Sequence, residues 1–222
     1  MYHKKIFLVA TLVGLCILYA LPVLAVGVRG IVPEVEMIKV NEKPVIDGDL
    51  DDKAWIEVAR SFKGVLTGWK NQTGTFLIRN QRIVYLCYDD EALYVGMICY
   101  VDDIKQLRYG NDVWHDDEFE VHLENKDKEY FQMGIDCSGA WDIGTLDKLF
   151  SFESASKIGE NYWTTEIAIP WKEVRVTPTP GTEIGFNVAG NDYLDGWVTW
   201  GPTYGSFLQP KKFAYLKLGC SM

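Results

Sequence analysis

From residue 118 to residue 124 the chain alternates without a break. Phe119, Val121 and Leu123 point one way, and Glu118, Glu120, His122 and Glu124 point the other. A period of two predicts a half-buried β-strand with its acidic side in water. Residues 110–117, just before it, are polar apart from Trp114 and Val113, with Asn111, Asp112, His115, Asp116 and Asp117 around the indole. A ring in such a setting either folds back onto the core or stands out toward a partner, and the stretch alone leaves both open.

Similar patterns recur along the chain. Residues 83–88 are apolar on both sides, as in a central strand, and residues 93–101 return after the turn-like Asp89, Asp90 and Glu91, so the two form a hairpin. Further strands are predicted at 130–136, 162–169, 185–188, 197–200 and 213–218. Pro170 stops one of these and starts a single helical turn. Upstream, Asp47 and Gly48 turn the chain. Asp49 is then placed to cap a short helix, with Asp51 and Asp52 in its first turn and Leu50, Ala54, Trp55 and Val58 on one face. No helical period follows Ala59. Many short strands separated by turns predict an all-β fold: a two-sheet β-sandwich of jelly-roll or Greek-key type, with one or two short helical turns.

Composition sets the frame. With 48% hydrophobic and 24% charged residues, the chain can build one good-sized core. His3, Lys4 and Lys5 precede an apolar run over 6–24, and Val23, Leu24 and Ala25 form a small-residue cleavage pattern. Residues 1–25 therefore read as a secretory signal and 26–222 as one domain, secreted or periplasmic; the run is also long enough to serve as an uncleaved membrane anchor. Loss of Lys4 and Lys5 takes the formal charge from -9 to -11. Such a surface repels phosphates and excludes nucleic acid as a partner. Cys87, Cys99, Cys137 and Cys220 remain, either as free thiols or in one of three pairings.

Catalytic signatures are missing: there is no Gly-x-Ser-x-Gly, no phosphate-cradling loop and no His-Glu-x-x-His. His115, His122 and Asp116 are too few for a convincing zinc site. Glu118, Glu120 and Glu166 are the carboxylates available for glycoside hydrolysis, but one strand supplies no cleft. The acids at 47–52 suit capping, with calcium binding as the alternative.

In order along the chain, PVIDGDLDDKAW (44–55), YDDEALYV (88–95), WHDDEFEVHL (114–123), YWTTEIAIPW (162–171), GTEIGFNV (181–188) and FLQPKKFAYLKL (207–218) resemble family 9 carbohydrate-binding modules. The resemblance covers nearly all of 26–222. It implies a two-sheet sandwich, calcium in some members, and a slot where two aromatic rings clamp a neutral mono- or oligosaccharide, in service of a glycoside hydrolase. Trp114 resembles the first clamp tryptophan, and Asp117 and Glu120 keep the polar spacing after it. Phe207 stands in place of the second tryptophan, Tyr204 in place of an asparagine, and Gly134 where a sugar-contacting arginine is expected. Two alternatives are a haem-binding sandwich using Met133 or His122 as axial ligand, and a structural surface module with a degenerate sugar slot. One ring is not enough: covering about 100 Å² contributes about 2.5 kcal/mol, and millimolar binding requires about 4 kcal/mol.

Overall fold

The computed structural model describes residues 33–145 and 149–221. The segment 1–25 read as a signal lies outside them. Thirteen strands follow in chain order: β1 (Glu34–Lys39), β2 (Val65–Leu66), β3 (Lys70–Asn71), β4 (Arg82–Tyr88), β5 (Ala92–Tyr100), β6 (Glu118–Glu124), β7 (Tyr130–Asp136), β8 (Trp141–Ile143), β9 (Glu153–Ile158), β10 (Tyr162–Pro170), β11 (Glu183–Asp192), β12 (Gly196–Thr199) and β13 (Ala214–Ser221). One helix, α1 (Lys53–Ser61), accompanies them.

The ladder runs β8-β7-β6-β11-β13-β1-β4-β5-β10-β9 and curls into two layers. β1 joins the layers, pairing in parallel with both β13 and β4. The inward rows of both layers meet in one core: Leu86, Val95 and Ile167 from one side, Phe119, Val121, Met133 and Val188 from the other. This is the expected β-sandwich, and the β4–β5 hairpin lies in it as predicted. Long strands rich in Val, Ile and aromatic residues bury apolar area on the shared face, the main favourable contribution to such a fold.

The outer face of the first layer is covered by α1, whose Ala54, Trp55 and Val58 pack on Ile38, Cys87 and Tyr94. Two expectations are corrected and one open alternative is decided. First, the helix starts later than expected, at Lys53, with Asp52 in the cap position; its carboxylate accepts the Val45 N–H at 2.9 Å instead of capping the helix, and Asp49 pairs with Lys157. Second, among the described residues Cys87, Cys99, Cys137 and Cys220 are free thiols, the first three buried, which decides between the alternatives. Third, the polar side of β6 is not wet: Glu118, Glu120 and His122 are 0%, 2% and 0% exposed. Alternation set the facing correctly, but side chains from distant loops roof that face.

Candidate functional site

β6 runs between β7 and β11, and the registers set up rows of side chains across the outer face. Glu118 lies between Asp136 and Asn191, Glu120 between Gly134 and Ala189, and His122 between Gln132 and Asn187. The middle row therefore carries almost no bulk on either side of Glu120. The layer is low along that row, a groove in the backbone surface that other side chains cover, since Glu120 is 2% exposed.

Trp114 sits in this groove. A Cβ on Gly134 would come within 2.9–3.3 Å of the far edge of the indole six-membered ring, so the ring rests where any other residue would push it away. Its Nε1–H donates to Asp142 Oδ2 at 2.7 Å. The acids around it build its pedestal. Asp112 accepts the Trp114 N–H, and Asp116 accepts both the N–H and the Nδ2–H of Asn111. Asp117, carried over as a sugar contact, has both oxygens engaged: it accepts the backbone N–H groups of Tyr193 and Arg108, each at 2.7 Å. It therefore holds the loops that frame the groove.

Beneath the roof the carboxyls are unequally served. Glu120 Oε2 accepts Gln132 Nε2–H at 2.6 Å and lies 3.1 Å from His122 Nε2. Burial alone would lift the Glu120 carboxyl, but His122 and Gln132 outweigh it and hold it below the usual carboxylate range. Glu118 is different. Neither of its buried oxygens meets a partner in good hydrogen-bond geometry, although the Glu120 carboxyl and the Asn191 backbone lie alongside, and in the same row Asp136 Oδ2 also lacks one. Burial first, and then the neighbouring Glu120 charge, push the Glu118 carboxyl well above the usual range.

On the opposite side of β6, Phe207 packs edge-on against His122 at 6.1 Å and against Trp197 at 5.9 Å, and Phe213 closes the same row at 5.8 Å from His122. Phe207 is buried beneath the rim. Tyr204 is exposed on the rim, with Lys212 Nζ 5.6 Å from its ring centre. The resemblance carried over neither Trp197 nor Glu118 as a sugar contact. Glu118 was detectable, two positions before Glu120 on the same face. Trp197 was not, because its apolar surroundings read as core.

Of the two residues named for a haem, Met133 lies in the core between the layers, and His122 lies on the other face with its Nδ1 taken by the Tyr130 hydroxyl at 2.7 Å. Among the described residues, no group of three or more His, Cys, Asp or Glu side chains is placed to hold a metal ion. Among the acids at 47–52, Asp47 accepts the Asp49 N–H, and Asp49 and Asp52 are engaged as described above. Glu166 lies in the other layer and serves the fold there, accepting Trp55 Nε1–H, Gly48 N–H and Asp47 N–H at 2.6, 2.7 and 3.0 Å.

Comparison with known proteins agrees with this fold. Residues 46–219 match the family described as "Carbohydrate family 9 binding domain-like". The chain is 31% identical over 188 residues to an endo-1,4-beta-xylanase A of Thermotoga neapolitana, covering 79% of this chain and only 17% of the xylanase. Two structures of a family 9 carbohydrate-binding module from Caldicellulosiruptor kristjanssonii superpose well. The one in complex with cellotriose has a TM-score of 0.67 at 21% identity, covering 85% of this chain and 95% of the module. The one in complex with glucose has a TM-score of 0.68 at 20% identity, covering 85% and 97%. The family is one of binding modules rather than catalysts, and this chain belongs to it as a carbohydrate-binding module related to the family 9 region of xylanases.

Proposed function

We propose that the groove over β6 takes a neutral pyranose, with Trp114 as one wall and Phe207, backed by Trp197, as the other. The single observation that carries this reading is the Glu118 carboxyl, fully buried beside Glu120 with no side-chain donor on either oxygen. An unpaired buried polar group is costly, and a sugar hydroxyl is a donor and acceptor of the right size to relieve it. Glu120, oriented by Gln132, accepts a second hydroxyl, and such charge-assisted bonds add the affinity that one stacked ring lacks. Because both carboxyls are covered, binding includes moving part of the roof, which keeps affinity in the weak to moderate range. Gly134 fits this picture: where related sugar binders are expected to place an arginine, this chain spends the position on seating its indole.

The relatives favour a role beside glycoside hydrolases in polysaccharide breakdown, outside the cytoplasm, in keeping with the basic and apolar start of the chain. Calorimetry with glucose and cellotriose at millimolar concentration tests the binding. Measurable heat, lost in Trp114→Ala, is expected; no heat with any mono- or oligosaccharide would overturn the reading. N-terminal sequencing of the exported protein tests the location, with a start near Val26 expected.

A further inference from the structure

The outer face of the first layer is only partly covered. α1 and the loop before it end over Gly96, where a Cβ would stand 2.7 Å from Leu50 Cδ2 and 3.2 Å from the Trp55 ring. Beyond that line the alternation of β4, β5 and β10 sends Val84, Met97, Cys99 and Trp163 into the core. The same alternation turns Ile83, Ile98, Tyr100 and Tyr162 outward. The registers gather them, with Ile83 opposite Ile98 and Tyr100 opposite Tyr162. Tyr85 joins them at the border of the cluster under α1. Tyr100 is 48% exposed, and the other four are half-buried.

One of these rings is laid flat. Gly159 lies opposite Tyr162 at the turn between β9 and β10, and its N–H donates to the Tyr162 carbonyl at 2.8 Å. A Cβ on Gly159 would stand 2.5 Å from Tyr162 Cζ and 2.7 Å from both Cε1 and Cε2, nearer than to the hydroxyl oxygen. An approach at the ring's edge would meet the hydroxyl first, so the glycine lies under the ring face. The other face of Tyr162 is turned to solvent, parallel to the sheet.

The partner this face fits is neutral and flat. Of the charged side chains in these rows, Glu166 is buried and spent on Trp55, Gly48 and Asp47, and Lys157 pairs with Asp49. On a chain of net charge -9, a patch without free charge matches an uncharged partner rather than an acidic or basic one. A second copy is the wrong size, since a stable dimer buries about 800 Å² per partner, more than five half-buried side chains expose. Flat rings and aliphatic side chains in one plane suit a surface of C–H groups, and the tyrosine hydroxyls suit the hydroxyls at its edges.

We propose that Ile83, Tyr85, Ile98, Tyr100 and Tyr162 form a planar platform that lies on the surface of an insoluble neutral polysaccharide. It sits on the layer opposite the groove and works independently of it, so the module can rest on a solid while the groove stays open to soluble sugar. Sedimentation with microcrystalline cellulose in saturating cellotriose, which occupies the groove, measures the platform alone. The wild type is expected to stay on the solid. Tyr100→Ser should lower the partition onto cellulose about tenfold, with calorimetric affinity for glucose unchanged. Gly159 lies outside the left-handed region, so Gly159→Ala lifts the Tyr162 ring off its seat without straining the backbone, and the partition should fall about threefold. Trp114→Ala reverses the pattern, keeping cellulose and losing glucose. Full release of the wild type by cellotriose, unchanged partition in either platform variant, or a parallel loss of glucose affinity overturns the platform and leaves the groove standing. Retention that resists cellotriose and depends on Tyr100, with no heat from glucose, overturns the groove and leaves the platform standing.

Discussion

The two outer faces of the sandwich carry the same construction, finished differently. On the first layer, Glu166 lies between Gly96 and Ala155, and Trp55 rests on Gly96. On the second, Glu120 lies between Gly134 and Ala189, and Trp114 rests on Gly134. In each case a buried glutamate shares its row with a glycine that seats an indole. On the first face the indole donates to the glutamate, and the Asp47–Gly48 turn adds two more N–H groups. Gly48 sits there at φ 91, a conformation that favours glycine. On the second face the indole turns its Nε1–H away, to Asp142, and leaves the carboxyl row with donors too few and unevenly spread. A buried acid that the chain itself satisfies is a structural clasp. One left unsatisfied beside an accessible ring is prepared for an outside ligand.

Substitutions that exchange these two conditions test the contrast. The largest effect is expected from Glu166→Ala, which strands two buried donors and a partly buried third. Stability in urea should fall by about 4 kcal/mol, while sugar binding by the folded fraction persists. A loss below about 1 kcal/mol would mean that the clasp is not structural. Next comes Trp114→Ala, expected to weaken glucose binding about thirtyfold with only a modest change in the unfolding midpoint, because the ring is half-buried. Gly134→Ala sharpens the point by moving the indole without touching a polar group. Its Cβ would stand 2.9 Å from Cζ3, and affinity should fall about fivefold.

The smallest effect is expected from Glu118→Gln, and it shows in the pH dependence of stability. The folded carboxyl titrates well above its unfolded counterpart, so the stability of its protonated form is fully present below the unfolded pKa and is lost as pH rises through the folded one. Glutamine cannot ionise. The variant should match the wild type in acid and unfold at progressively higher temperature than the wild type as pH rises above the ordinary carboxylate range. Glu120, shifted the opposite way, is present in both proteins and drops out of the difference to first order. Parallel melting curves at every pH would mean that Glu118 already has a partner.

Much of this was legible in the chain. The strict alternation in β6 assigned Phe119, Val121 and Leu123 to the core and Glu118, Glu120 and His122 to the other side, and both assignments hold. The hairpin of β4 and β5 and the apolar face of α1 were equally readable, because local period reports which side chains share a side. The polar stretch around Trp114 misled in part. Its acids looked like solvated surface or sugar contacts, yet Asp112, Asp116 and Asp117 spend their oxygens on nearby backbone N–H groups. Short-range spacing does not reveal this, because the same acids satisfy capping and ligand patterns alike.

By itself the sequence determined the class of fold, the facing of each strand and the presence of an indole ahead of an acidic strand, since each depends on neighbours within a few residues. Only the tertiary structure decided that the acidic side is roofed, that Glu120 is served while Glu118 is not, and that Trp197 stands beside Phe207. Those outcomes depend on cross-strand register and on loops some eighty residues further along, such as the one carrying Phe207. Register pairs residues across the sheet by a global alignment of strands, and no local period encodes it.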